Sequence, residues 1–265
     1  MTDNAIELSI LLPAFLAGLL VLATHVPMGQ QVLSRGIVFI DLAIAQVAGL
    51  GVTIASSFGA EPQGWHVQVA ACVAALVGAL ALTWTEKAWP AVQEALIGVL
   101  FVLAACVELL LLANNPHGGE HLKDLLVGQI LWVQVSTLIP IAIFYAVALA
   151  VWFLARQKLG QIGFYVLFAL VVTQSVQLVG VYLVFASLIV PALASRRFAG
   201  KLRLWVGYGV GVVGYVAGLL VSSLFDLPTG AAIVVTLVAA FVLAVIGSLV
   251  VPSGWRAEAE AAPAH

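Results

Sequence analysis

Charge is what this sequence has least of. Asp, Glu, Lys and Arg make up 8% of its 265 residues and apolar types 63%, whereas a soluble domain carries about 25% charged residues. So little charge cannot cover a water-facing surface, and lipid must be the solvent for much of the chain. The net charge is −2 and no extended basic patch occurs, which excludes a nucleic-acid partner. No G-x-x-x-x-G-K-[ST] pattern is present, so the chain has no P-loop with which to hold ATP. Cysteine is scarce too. Cys72 and Cys106 both lie inside apolar runs, which predicts buried thiols rather than a disulfide or a metal site. Met1–Glu7 is acidic and lacks the positive region of a signal peptide, so the first apolar run is expected to stay attached.

What is there is a succession of apolar runs, and a span needs about 17–25 such residues. The runs lie near 8–25, 37–57, 67–84, 96–113, 132–155, 162–180, 181–195, 204–222 and 231–250. Gly180, Ser187 and Pro191 interrupt the pair 162–195, which reads as two spans or as one span plus a broken or re-entrant segment. The expected fold is an all-α integral membrane protein, a polytopic bundle of 8–9 transmembrane helices with short loops. Residues 1–252 form one transmembrane domain, and the small, polar tail 253–265 is expected to be disordered.

Alternate loops carry Arg35, Lys87, Arg156 with Lys158, and Arg196, Arg197, Lys201 and Arg203, and the tail carries Arg256. Only Lys123 falls in the other set. The positive-inside rule then predicts a multi-pass protein of the cell membrane with its N-terminus outside and its C-terminus in the cytoplasm. Trp65, Trp84, Trp132 and Trp205 lie near proposed span ends, as interfacial anchors should.

Ionisable groups inside spans mark function, because each costs about 2.5–3.5 kcal/mol at the centre of a helix. Asp41 and Glu108 qualify. Asp41 is expected about 7–8 Å inside the cytoplasmic edge, with Gln46 on the same helix about 140° away. Either acid lines a cation path, or Asp41 serves a neighbouring helix end and Glu108 snorkels to the surface. Gln174 and Gln177 share a helical face and either line that path or join helices. His25, beside Pro27 at the expected end of the first span, reads as a helix-end hydrogen-bond donor, and Glu94 as favourable charge at a helix start.

The loop NNPHGGEHLKDLLVGQILW (114–132) carries His117, Glu120 and His121, ligand types that zinc and manganese accept. It is a metal-contacting loop at the outer mouth or simply a polar loop capping the next helix. H-x-x-E-H also matches a metalloprotease pattern, but Pro116, Gly118 and Gly119 oppose the helix that pattern needs. Residues 122–131 read as an interfacial half-helix. The stretch ASRRFAGKLR (194–203) is the largest basic cluster, either topogenic charge or a short docking helix between Pro191 and Gly200.

Five blocks, in order and covering most of the chain, resemble the zinc/manganese-type ABC importer permeases. They are VLSRGIVFIDLAIAQVAGLG (32–51), EALIGVLFVLAA (94–105), HGGEHLKDLLVGQILWV (117–133), VQLVGVYLVFASLIVPALASRRFAG (176–200) and FDLPTGAAIV (225–234). The resemblance implies a permease that moves zinc or manganese inward and binds no cofactor of its own. It implies a second copy of the chain, cytoplasmic ATP-binding subunits and an extracytoplasmic solute-binding protein as partners. It also implies a coupling region at 192–202, with Ala192, Arg196, Arg197 and Lys201. Family members carry an Asp and a His four residues apart in the second span, where this chain has Asp41 and Ala45. A gapless alignment places Gln46 at the His and Leu42 at the Asp. The segment 155–163 is also shorter than the family's insert. An ion-coupled secondary carrier using Asp41 and Glu108, or an intramembrane metalloenzyme using His117–His121, are the alternatives.

Overall fold

The computed structural model describes residues 3–59, 64–113 and 126–250. These form helices α1 (Asp3–Arg35), α2 (Ile40–Ser57), α3 (Trp65–Ala88), α4 (Gln93–Leu112), α5 (Val135–Val179), α6 (Val181–Ser195), α7 (Gly200–Phe225) and α8 (Thr229–Val250). No strand occurs among the described residues. Gly160, at φ 59° and ψ −162°, kinks α5 into two limbs, one before it and one after it. With the limbs counted separately, eight described segments are long and apolar enough to cross a bilayer. The chain is a multi-pass membrane protein.

The pair 162–195 resolves into one full span and one short helix. Gly180 ends α5 with φ 84°, a conformation that costs glycine nothing. The 15 residues of α6 rise about 22 Å, short of a hydrocarbon core of about 30 Å. The missing depth is occupied by the segment before α5. Gly128, at φ 71°, lies against Gly180 so closely that a Cβ on it would sit 2.2 Å from the Val179 carbonyl oxygen. A Cβ on Gly230 would sit 2.4 Å from the Val127 carbonyl oxygen. Leu126 to Trp132 is therefore wedged against the starts of α6 and α8, with Ile130 buried. Residues 130–132 form a single 3-10 turn where half a helix is expected, and the first part of that expected helix lies outside the described residues.

Other expectations are corrected. The first helix does not end near residue 25. It runs through Pro27 to Arg35, because leaving a helix within lipid would strand a turn of backbone polar groups. Neighbours hold it there: a Cβ on Gly29 would lie 2.0 Å from the Leu188 carbonyl oxygen. His25 is thus in the helix interior, fully buried, with Nδ1 2.9 Å from the Val21 carbonyl oxygen. Residues 85–95 are not a free loop, since α3 runs to Ala88 and a 3-10 turn at Pro90–Val92 leads directly into α4. The stretch 194–203 is not a separate helix. It is the end of α6, a four-residue turn and the start of α7. Cys72 is half-buried and Cys106 exposed, both as free thiols, because their helices turn those faces outward to lipid. The tail 253–265 lies outside the described residues.

The turn at Asp226–Pro228 follows its sequence closely. Asp226 closes α7 in the left-handed region at φ 51°, and its N–H donates to the Ser222 carbonyl oxygen. Ser222 Oγ donates to the Leu227 carbonyl oxygen at 2.7 Å and pairs with Thr229 Oγ1 at 2.6 Å. The turn is stitched from both sides before α8 begins.

Candidate functional site

Helix α2 positions the site. It is apolar over most of its length and packs on α3 and α4, with Ala43, Ile44, Ala45, Ala48 and Gly51 buried. Small residues let the neighbours approach: a Cβ on Gly51 would lie 2.7 Å from the Ala70 carbonyl oxygen of α3. Within this close packing, polar side chains must meet partners.

Gln46 and Glu108 meet each other. Gln46 Nε2 donates to Glu108 Oε2 at 2.5 Å, and Thr53 Oγ1 donates to Glu108 Oε1 at 2.8 Å. All three residues are buried, Glu108 to 1% exposure. The carboxylate does not snorkel. It turns inward from α4 to α2, where the Gln46 amide and the Thr53 hydroxyl fix the orientation of the carboxylate. Sequence reasoning passed over Thr53. It lies seven residues after Gln46, two helical turns along the same face, and that spacing was the available signal.

Two cavities meet at Gln46. A small enclosed one is lined by Ala45, Gln46, Gly49, Glu108, Val176 and Val181. A groove of about 600 Å³ runs along α2, α4, α6 and α8, lined by Gln46 and by apolar side chains such as Phe101, Leu109, Phe185 and Val235. Gln46 lines both, whereas Glu108 lines only the small cavity.

Asp41 stands apart. It lies in the first turn of α2, not a turn and a half inside it, because the helix begins at Ile40. It is 1% exposed, and both carboxylate oxygens are enclosed without a side-chain partner, facing only the backbone N–H groups of Asp41 and Leu42. The neighbouring charge is Glu94 at the start of α4, whose Oε1 accepts the Phe39 N–H at 3.2 Å. Glu94 Oε2 is likewise enclosed without a hydrogen-bond partner. The N-terminal end of α2 favours a carboxylate through its unpaired N–H groups and dipole. Asp41 and Gln46 thus face different surroundings, as their angular offset requires.

Gln174 joins neither acid. Its side-chain oxygen accepts from Gln68 Nε2 of α3 at 3.2 Å, and Gln177 is exposed. The same stretch ties the α5 limbs together through Tyr145 and Ser175, 2.5 Å apart. At the other end of the bundle, Ala192 is buried in α6, Arg196 and Lys201 are exposed, and Arg197 is half-buried. His117, Glu120 and His121 lie outside the described residues. Among the described residues no three His, Cys, Asp or Glu side chains come close enough to hold a metal ion.

The description "ABC 3 transport family" matches residues 7–165 and 158–248 of this chain. The chain is 27% identical over 263 residues to the "Manganese transport system membrane protein MntC" of Halalkalibacterium halodurans, spanning 91% of this chain and 88% of that protein. It is 24% identical over 255 residues to the "High-affinity zinc uptake system membrane protein ZnuB" of Haemophilus influenzae, spanning 88% of this chain and 96% of that protein. Among solved structures, "PsaBC from Streptococcus pneumoniae in complex with Fab" shares the fold. The TM-score is 0.73 at 21% identity, over 92% of this chain and 95% of that one.

Proposed function

The chain belongs to the ABC 3 transport family, and from that premise we propose that it is the membrane permease of an ATP-driven importer for a divalent transition metal. Zinc is the first candidate and manganese the second. The names of its relatives, one a zinc and one a manganese transport protein, support this pair without separating them. With no P-loop in the sequence, ATP hydrolysis falls to partner subunits in the cytoplasm, and an extracytoplasmic binding protein delivers the metal. The chain acts as a homodimer. Support for a second copy comes from the groove, whose lining includes exposed Leu109, Tyr182 and Val235. The basic ends of the helices face the cytoplasm, so the N-terminus lies outside and the C-terminus inside.

The observation that carries the reading is the Glu108 carboxylate, buried in the small cavity that shares Gln46 with the groove and held by Gln46 and Thr53. Glu108 and Gln46 make the first contact within the bilayer and Asp41 the next, toward the cytoplasm. The loop with His117, Glu120 and His121 guides metal at the outer mouth. Arg196, Arg197 and Lys201 meet the ATP-binding subunit, where ATP binding draws the two copies' loops together and rocks the helices.

The test is co-purification in detergent followed by uptake of radioactive zinc and manganese in liposomes. An ATP-hydrolysing subunit should accompany the chain, and uptake should require ATP. Uptake by the chain alone, driven by an ion gradient, would instead make it a secondary carrier. A single cysteine at Phe198, in a background lacking Cys72 and Cys106, should resist an impermeant reagent added outside. Labelling there reverses the orientation.

A further inference from the structure

The turn Arg196–Ala199 is short, and both of its limbs are tied to a third helix by one side chain. Gln30, on α1, sends its Nε2 to Ser195 Oγ at 3.1 Å and to the Arg203 carbonyl oxygen at 3.0 Å. Ser195 is the last residue of α6 and Arg203 lies in the first turn of α7. A carbonyl oxygen only accepts, so the amide must present its NH₂ here, and both hydrogens are used. Ser195 Oγ has its own hydrogen committed to the Ala192 carbonyl oxygen at 3.2 Å, which leaves a lone pair for Gln30. The donors and acceptors therefore match without a choice of rotamer or flip.

The packing around this contact is tight. A Cβ on Gly29 would lie 2.0 Å from the Leu188 carbonyl oxygen of α6, and one on Gly207 of α7 would lie 2.8 Å from Val26 Cγ1 and 3.5 Å from Gln30 Nε2. Ser195 is fully buried. Residues 26–30 of α1 are thus inserted between α6 and α7 at the base of the turn, and neither limb moves without straining the amide.

We propose that Gln30 is a positioning residue of the transport cycle, its amide locking the 196–199 turn to α1 so that a push on that turn moves α1 together with α6 and α7. The proposal rests on the reading that this turn meets an ATPase. Close packing resists compression, whereas the two hydrogen bonds, with the Tyr208 hydroxyl donating to the Ala23 carbonyl oxygen at 3.0 Å further along α7, resist the turn being pulled away from α1. The side chain plays no part in touching the cation. Its loss should therefore change how well ATP hydrolysis is converted into movement, not whether either occurs.

The experiment uses the complete transporter in liposomes and measures ATP hydrolysed per zinc or manganese ion taken up. Gln30→Leu keeps the size and removes both bonds, and the ratio should rise about fivefold, as expected from losing two hydrogen bonds of ordinary strength. Ser195→Ala removes one bond and should raise it about twofold. A structural role alone lowers both rates together and leaves the ratio unchanged, and that result in Ser195→Ala overturns the proposal even where Gln30→Leu fails to accumulate. Absence of any ATPase from the purified wild-type complex would defeat the transport reading instead. A ratio unchanged in a complex that does hydrolyse ATP defeats only the role of Gln30.

Discussion

Helix α2 brings two buried carboxylates into play, and they are treated differently. Near its middle, Gln46 and Thr53 reach across to Glu108 and satisfy both of its oxygens. At its start, Asp41 is as deeply buried but no side chain donates to either oxygen, and only backbone N–H groups of the helix start face it. The first arrangement holds a charge in a chosen orientation beside a groove. The second leaves a carboxyl group supported only by the backbone N–H groups of a helix end and crowded by Glu94. A bound carboxylate of the first kind resists change. One of the second kind gains from any cation that arrives, because an unpaired buried charge is costly. The pair reads as an oriented entry contact and an unsatisfied contact further along the same helix.

The comparison breaks most directly at Glu108. Glu108→Ala strands two buried donors and removes the charge, and metal uptake should fall about a hundredfold. Uptake within a factor of about two of wild type, in protein that accumulates normally, would show that the oriented carboxylate is not on the path.

Asp41→Asn sharpens the contrast next. It is nearly isosteric and removes only charge. Uptake should drop about tenfold with accumulation undiminished, since a neutral amide compensates a divalent cation poorly. If uptake stays near normal, Asp41 is helix-end charge alone. Adding Glu94→Gln to this variant should lower uptake by less than Glu94→Gln does alone, because both act at one place.

Smaller effects separate the two donors of the oriented site. Gln46→Leu removes the donor that borders the groove and should reduce uptake about fivefold. Thr53→Val retains shape and loses one bond further from the groove, for a reduction of about twofold to threefold. A reversal of that order would mean that the cation approaches from the Thr53 side.

Legibility in the sequence followed the range of the interactions. The turn at Asp226–Thr229 is local, its bonds joining residues within seven positions of one another. Gly180 announced a break by its lack of a side chain. Pro27 misled, because a proline's local cost was set against packing by α6 and α7 that sequence does not display. The stretch 171–180 was chemically legible as polar and geometrically illegible. Only the bundle decided that Gln174 turns to Gln68 while Gln177 turns outward. Glu94 read correctly as a helix-start charge, yet its place beside Asp41 depends on two turns that are distant in the chain.

By itself, the sequence determined the solvent and the architecture. A chain with 8% charge and repeated apolar runs has no soluble alternative, and helices are the way to satisfy its backbone in lipid. It also determined which few residues carry charge into the bilayer. Tertiary structure decided which of those charges are paired. It joined Glu108 to Gln46 and Thr53, left Asp41 facing Glu94, and set Gln30 across the base of the basic turn. The reason is that hydropathy acts on each segment alone, whereas a hydrogen bond between helices depends on their mutual rotation and depth. Those are set by contacts such as Gly51 on Ala70 and Gly29 on Leu188, made between residues with no local signal of their partners.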